Sequence, residues 1–131
     1  MFLTKECDYA IRVIRSLSDM QQKTAKAICE KEVIPLQFSY KILKRLEKAG
    51  IISTCRGTSG GYRLSKPADS LTLFDVVNAV NENMYVSDCL KPSAECPHQA
   101  GGNVCSVHKE YCRIQNLVVS ALREKTVSQV F

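Results

Sequence analysis

The chain has 131 residues, 45% of them hydrophobic and 24% charged, the proportions of a single folded domain rather than of a disordered segment. No run of about 18 apolar residues occurs, which excludes a membrane-spanning helix, and the N-terminal MFLTKECDYAIRV lacks the apolar centre of a signal peptide. The expectation is a cytoplasmic protein with two unusual totals: a net charge of +5 and seven cysteines.

In chain order the pattern predicts five helices and one hairpin. Residues 4–20 set Tyr9, Ala10, Val13, Ile14 and Leu17 at helical spacing. Thr24 suits the N-cap of a short helix over 25–31, with Ala27 and Ile28 turned inward. Pro35 marks a new start, and Phe38, Ile42, Leu43 and Leu46 line a third helix that stops at Gly50. Two β-prone runs, 51–54 and 62–65, flank a loop rich in glycine and cations, the signature of a hairpin. Thr72 with Asp75 three residues on forms a capping-box start for a helix through Val80. Residues 84–104, with two prolines and two glycines, are irregular. From about Ser106 a last helix carries Val107, Tyr111, Ile114, Val118 and Ala121 along one stripe.

The charge is concentrated. Between Leu36 and Lys66 lie Lys41, Lys44, Arg45, Lys48, Arg56, Arg63 and Lys66 against the single acid Glu47, a local balance of +6. The remainder of the chain is close to neutral, so the excess sits on the third helix and the hairpin, as on a surface that meets phosphate. A basic helix face that is merely solvated has the same composition. The order helix, helix, basic helix, hairpin favours a winged helix-turn-helix, with the third helix in a major groove. Gln37, Ser39, Tyr40 and Lys41 fall early on that helix and carry hydrogen-bonding groups for base edges. Lys44, Arg45 and Lys48 follow one or two turns later, where they suit the phosphate backbone. Arg56 with Gly57 and Gly60 forms the wing tip, suited to enter a minor groove or to lie along phosphates, and Tyr62 follows it. A Walker phosphate loop is excluded, since no Gly-Lys-Ser/Thr opens a helix.

The thiols are equally uneven. Cys7, Cys29 and Cys55 are isolated and fit small buried hydrophobes. Cys89, Cys96, Cys105 and Cys112 fall within 24 residues, with His108 among them, a metal or redox grouping before a disulfide framework. Cys105, His108 and Cys112 share one helical face if the segment is helical. Soft sulfur donors select iron–sulfur clusters, zinc or copper(I), and the spacing matches neither a zinc ribbon nor a bacterial ferredoxin. Cys112, beside Tyr111, could equally pack in a core. The amphipathic last helix has little core of its own to cover. A second copy of the same helix would cover it and would present two reading helices to a palindromic site.

Several stretches resemble a known family. They are MxLTxxxDYAIR at the start, the helix from Pro35 to Gly50, RGTSGGYRLSKP, and LTLFDVVNAV. Together they are similar to the bacterial Rrf-type (BadM/IscR/NsrR/CymR-like) winged-helix transcriptional regulators, over nearly the whole chain. The resemblance implies a mainly α fold with a small β-hairpin: a winged helix-turn-helix domain over 1–82, a cysteine-rich loop over 83–105, and a dimerisation helix and tail over 106–131. It implies a homodimeric DNA-binding regulator, a repressor, and neither an enzyme nor a membrane protein. In cluster-binding members three cysteines follow the fourth helix, and Cys89, Cys96 and Cys105 occupy those positions. The fourth ligand implied is His108, as for a 2Fe-2S cluster, or Asp8 of the other subunit, as for a 4Fe-4S cluster; Cys112 is extra to the pattern. Arg56 matches the wing arginine that contacts DNA. A zinc-bound or metal-free regulator controlled by a partner protein or by thiol oxidation is the alternative, and a small redox protein is a third, poorly supported by these motifs.

Overall fold

The structure is a computed structural model and describes residues 3–131; Met1, which opens the N-terminal motif, lies outside them. Helix α1 spans Lys5–Leu17, capped by Thr4, whose Oγ1 accepts the Cys7 N–H. It buries Cys7, Ala10, Val13, Ile14 and Leu17, and packs against three other helices, so it is the spine of the domain. The predicted extension to residue 20 is absent, because the chain turns at Met20 with φ of +61°.

Helix α2, Ala25–Glu32, is capped by the Thr24 hydroxyl, which accepts the Ala27 N–H at 3.1 Å. It buries Ile28 and Cys29, while Ala27, expected inside, faces solvent. The helix ends on Val33 in the left-handed conformation (φ +55°), a setting that costs a β-branched residue about 1–2 kcal/mol. That strained residue makes the sharp turn into α3, Leu36–Lys48, and Ile34 fills the corner between the two helices. Strands β1, Ile52–Cys55, and β2, Gly61–Leu64, form the antiparallel hairpin, with Ile52 opposite Leu64 and Cys55 opposite Gly61. Helix α4, Leu73–Val80, starts with the predicted capping box: Thr72 N–H donates to Asp75 and the Asp75 N–H donates to Thr72 Oγ1.

Between α4 and the next helix are two 3₁₀ turns, Asp88–Leu90 and Pro97–Gly102. Helix α5, Ser106–Glu124, then runs 19 residues without burying one of them. A short helix α6, Val127–Val130, returns to the domain. Its Val127 N–H donates to Leu71 O at 2.7 Å and its Ser128 N–H to Ala68 O at 3.1 Å, and Val127 is fully buried. The mainly α fold with one hairpin is the expected class. No helix among the described residues is long and apolar enough to cross a membrane.

Candidate nucleic-acid interface and thiol cleft

Helix α3 turns Ile42, Leu43 and Leu46 into the core and leaves Gln37, Phe38, Tyr40, Lys41, Lys44 and Lys48 exposed. Two residues depart from expectation on this face. Ser39, expected to reach a base edge, is fully buried, and its hydroxyl donates to Leu36 O at 2.7 Å; one helical step decides that it points inward. Phe38, expected in the core, is 54% exposed and lies toward Lys5, Glu6 and Tyr9 of α1, whereas Tyr40, 55% exposed, projects from a different side of α3.

The cations of α3 also divide. Lys41 Nζ donates to Glu6 Oε1, and an Arg45 terminal nitrogen donates to Glu6 Oε2, each at 2.7 Å. Arg45 further donates to the carbonyl of Val80, at the end of α4. Expected on phosphates, its guanidinium is instead turned back toward its own domain. The Lys41 hydrogen bond, aided by the charge of both cations, holds the Glu6 carboxyl below the ordinary carboxylate range. Among the described residues Lys44 and Lys48 have no acidic partner.

The wing is fastened to the rest of the domain close to its tip, where the Gln22 side-chain amide donates to the Ser59 carbonyl at 3.4 Å. Tyr62 and Lys23 exchange backbone hydrogen bonds (2.8 and 2.9 Å), fastening β2 to the α1–α2 connection. Tyr62 is half-buried against this connection, one pair in from the loop end of the hairpin, and desolvation there pushes its phenol pKa up. Arg56, Gly57, Thr58 and Ser59 are exposed, and Gly57 takes φ of +133°. Gly61 is required for a second reason. A Cβ there would lie 2.5 Å from the Lys23 carbonyl oxygen, so only glycine lets the two backbones meet.

The thiols border an open cleft of about 630 Å³ lined by Cys89, Cys96, Cys105 and His108, with His98 and Tyr111 at its sides. Cys105 occupies the N-cap of α5 and His108 its first turn, which brings both to the loop that carries Cys89 and Cys96. His108 Nδ1 is buried and has no hydrogen-bond partner, an orphaned polar atom that a ligand at the cleft would satisfy. Cys89 Sγ lies 3.4 Å from Ser87 Oγ. Three thiols and an imidazole form a donor set that fits a soft metal or an iron–sulfur cluster. The donors border the cleft without converging: among the described residues no three metal-ligating groups are spaced to hold a metal ion. Cys112 is not among the lining residues, and the Asp8 carboxylate lies on α1, bound by Arg12 Nε at 3.0 Å.

Two polar residues escaped the sequence reading. Glu6 meets residues 35 and 39 positions away, and no local pattern announces such a contact. Gln115 is the other. Its Nε2 donates to Met84 O at 2.6 Å and its Oε1 accepts the Val86 N–H at 2.9 Å, tying α5 to the start of the thiol loop. An amide in the apolar half of an amphipathic helix was the only hint.

The family profile described as "Rrf2: Iron-dependent Transcriptional regulator" matches residues 3–131. Protein aau3 of Rhizobium meliloti (strain 1021) is 34% identical over 100 residues, covering 74% of this chain and 65% of that protein. The HTH-type transcriptional regulator IscR of Vibrio atlanticus (strain LGP32) is 28% identical over 133 aligned positions, covering 99% of this chain and 75% of that protein. Among solved structures, T. potens IscR matches with a TM-score of 0.77 at 15% identity, covering 97% of this chain and 83% of that one. The oxidized form of Staphylococcus aureus CymR matches at 0.74 and 20% identity, covering 99% and 95%. The two structural likenesses establish the fold.

Proposed function

Because the chain belongs to the Rrf2 family of transcriptional regulators, which are DNA-binding proteins and not enzymes, we propose that it is a cytoplasmic homodimeric repressor of a palindromic operator that responds to iron–sulfur status, oxidants or nitric oxide. The observation that carries the sensing part is the cleft bordered by Cys89, Cys96, Cys105 and the unpartnered His108 Nδ1. The family's iron dependence points the same way. Cys89, Cys96 and Cys105 would hold the cluster, with His108 as the fourth ligand in this reading. Asp8 of a second subunit would first have to leave its own Arg12. When bound, a cluster supplies a centre that iron shortage, oxidants or nitric oxide can dismantle.

The chain's own residues supply the rest. Thiolates from the loop and the start of α5 pin the irregular segment 83–105 to the helix, and without them that segment is held mainly by Gln115. The uncovered stripe of α5, with Val107 and Leu117 more than half exposed, suits a second copy of the same helix. Two α3 helices then face successive major grooves. Gln37, Tyr40 and Lys41 read bases, Lys44 and Lys48 meet phosphates, and Arg56 with Gly57 and Gly60 forms the minor-groove contact. In this scheme 1–82 reads DNA, 83–105 senses, and 106–131 dimerises.

Anaerobic purification followed by iron, acid-labile sulfide and visible-absorption analysis tests the proposal. The expected protein is coloured and carries both elements. Cys96→Ala should lose them and shift operator affinity in a gel shift. A colourless protein with stoichiometric zinc would overturn the sensing role. Metal-free protein whose DNA binding is unchanged by Cys96→Ala would favour control by a partner protein.

A further inference from the structure

A reading helix must bind its operator far better than the bulk of the genome. Every cation that meets phosphate adds affinity without adding discrimination. Helix α3 carries four cations, Lys41, Lys44, Arg45 and Lys48. Two of them share one counter-charge from another element: the Glu6 carboxylate on α1 accepts Lys41 on one oxygen and Arg45 on the other. Arg45 is also fixed by the Val80 carbonyl, so its partial withdrawal is set by two acceptors rather than by a chance surface encounter. Glu6 is only 39% exposed at its side chain, and the Lys41 hydrogen bond and the charge of both cations lower its carboxyl pKa below the ordinary range. Lys44 and Lys48 stay on the solvent side of the same helix without acidic partners among the described residues.

We infer that Glu6 is a specificity-setting residue, an internal counter-charge that keeps Lys41 and Arg45 from indiscriminate phosphate contact. On non-specific DNA the ion network persists, because the diffuse gain from one more phosphate does not repay breaking a doubly bonded carboxylate. On an operator, where a base edge is in register, Lys41 can exchange Glu6 for the base. Glu6 thereby lowers non-specific affinity more than specific affinity. It acts through Lys41 and Arg45 and need not touch DNA itself. The inference rests on α3 being the DNA-reading helix.

The test measures binding of the full-length protein to a labelled mixed-sequence 40-base-pair duplex, and to a duplex selected from a random library by the wild-type protein, across a salt series. Glu6→Gln should steepen the non-specific salt dependence by about 0.9 per cation released, equivalent to roughly eightfold tighter non-specific binding per cation at 0.1 M salt. Binding to the selected duplex should tighten less, so the discrimination ratio falls. Glu47→Gln makes the same change in net charge, on α3 itself, but removes a group that meets Thr54, not Lys41 or Arg45. It should leave discrimination close to wild type. Lys41→Gln in the wild-type background should leave the non-specific slope unchanged and, added to Glu6→Gln, should remove about half of the new slope. If Glu6→Gln keeps the wild-type slope, if Glu47→Gln lowers discrimination as much, or if Lys41→Gln alone flattens the slope, Glu6 has no such role. Wild-type protein that binds neither duplex would instead refute α3 as the reading helix.

Discussion

A single methyl group decides whether the wing can stand where it does. Gly61 has φ of +136°, and an added Cβ would sit 2.5 Å from the Lys23 carbonyl oxygen and 2.8 Å from its carbon, both backbone atoms that cannot swing aside. Gly57 at the wing tip has nearly the same φ, +133°, with no atom within 4 Å of such a Cβ. The pair separates conformational cost from steric cost. Gly57→Ala should lose about 1–2 kcal/mol for its backbone alone, whereas Gly61→Ala should lose about 2–4 kcal/mol, since it must also part β2 from Lys23. Urea unfolding of the two variants checks this; equal midpoint shifts would mean that the close approach carries no weight. The stretch Gly60-Gly61 is readable in sequence as a hairpin feature. Which of the two glycines is indispensable is not, because the reason lies 38 positions away at Lys23.

At the scale of elements, local signals located most of what is seen. Thr4, Thr24 and Thr72 each cap the helix that follows them, and a capping hydroxyl and its N–H partner are three residues apart, within reach of pattern reading. What escaped depends on contacts at long range. Helix α6 has its own capping box, Thr126 with Gln129, yet four residues make no helix by themselves. It exists because Val127 and Ser128 find carbonyls at Leu71 and Ala68. Ser39 stands three residues before Ile42 and four before Leu43, on the buried stripe itself, so its polarity misleads where its spacing does not. Phe38 falls off the edge of that stripe despite its apolar ring. The thiol cleft was legible in its donors, as Cys89, Cys96, Cys105 and His108 border one space, and illegible in its hydrogen bonds. Helix α5 yields the prediction that belongs to this scale. Leu117 is 57% exposed on a helix that buries nothing, so Leu117→Glu costs the isolated subunit little. In a dimer it sets two carboxylates against an apolar seam, worth about 3 kcal/mol or a 100-fold weaker association. Sedimentation equilibrium should show the wild type as a dimer and Leu117→Glu as a folded monomer at micromolar concentration. A wild type that is monomeric at those concentrations would rule out α5 as a dimer seam.

At the scale of the whole molecule the proposed function requires a path by which a change at the thiols reaches α3. The path has three joints. Gln115 holds the backbone of Met84 and Val86, and Cys89 follows three residues later. Met84 is buried in the same core as Leu43 and Leu46 of α3. Near the C-terminal end of α5 the Arg123 guanidinium lies 4.0 Å from the centre of the Phe74 ring on α4, so helix and domain are joined there as well as at mid-helix. A rearranged loop can bias the domain only through groups that differ between its two arrangements, and Gln115 is the polar group that spans the junction. Gln115→Ala removes both hydrogen bonds in a half-buried setting, which should lower stability by about 1–2 kcal/mol and leave the thiols untouched. Under the proposed function the variant should retain iron and sulfide. The ratio of operator affinities between cluster-loaded and cluster-free protein, however, should contract severalfold toward unity. Gel shifts on loaded and chelator-treated protein give the ratio directly. An undiminished ratio in Gln115→Ala would move the coupling to the other joints, leaving Gln115 as a clasp that stabilises the loop and carries no signal.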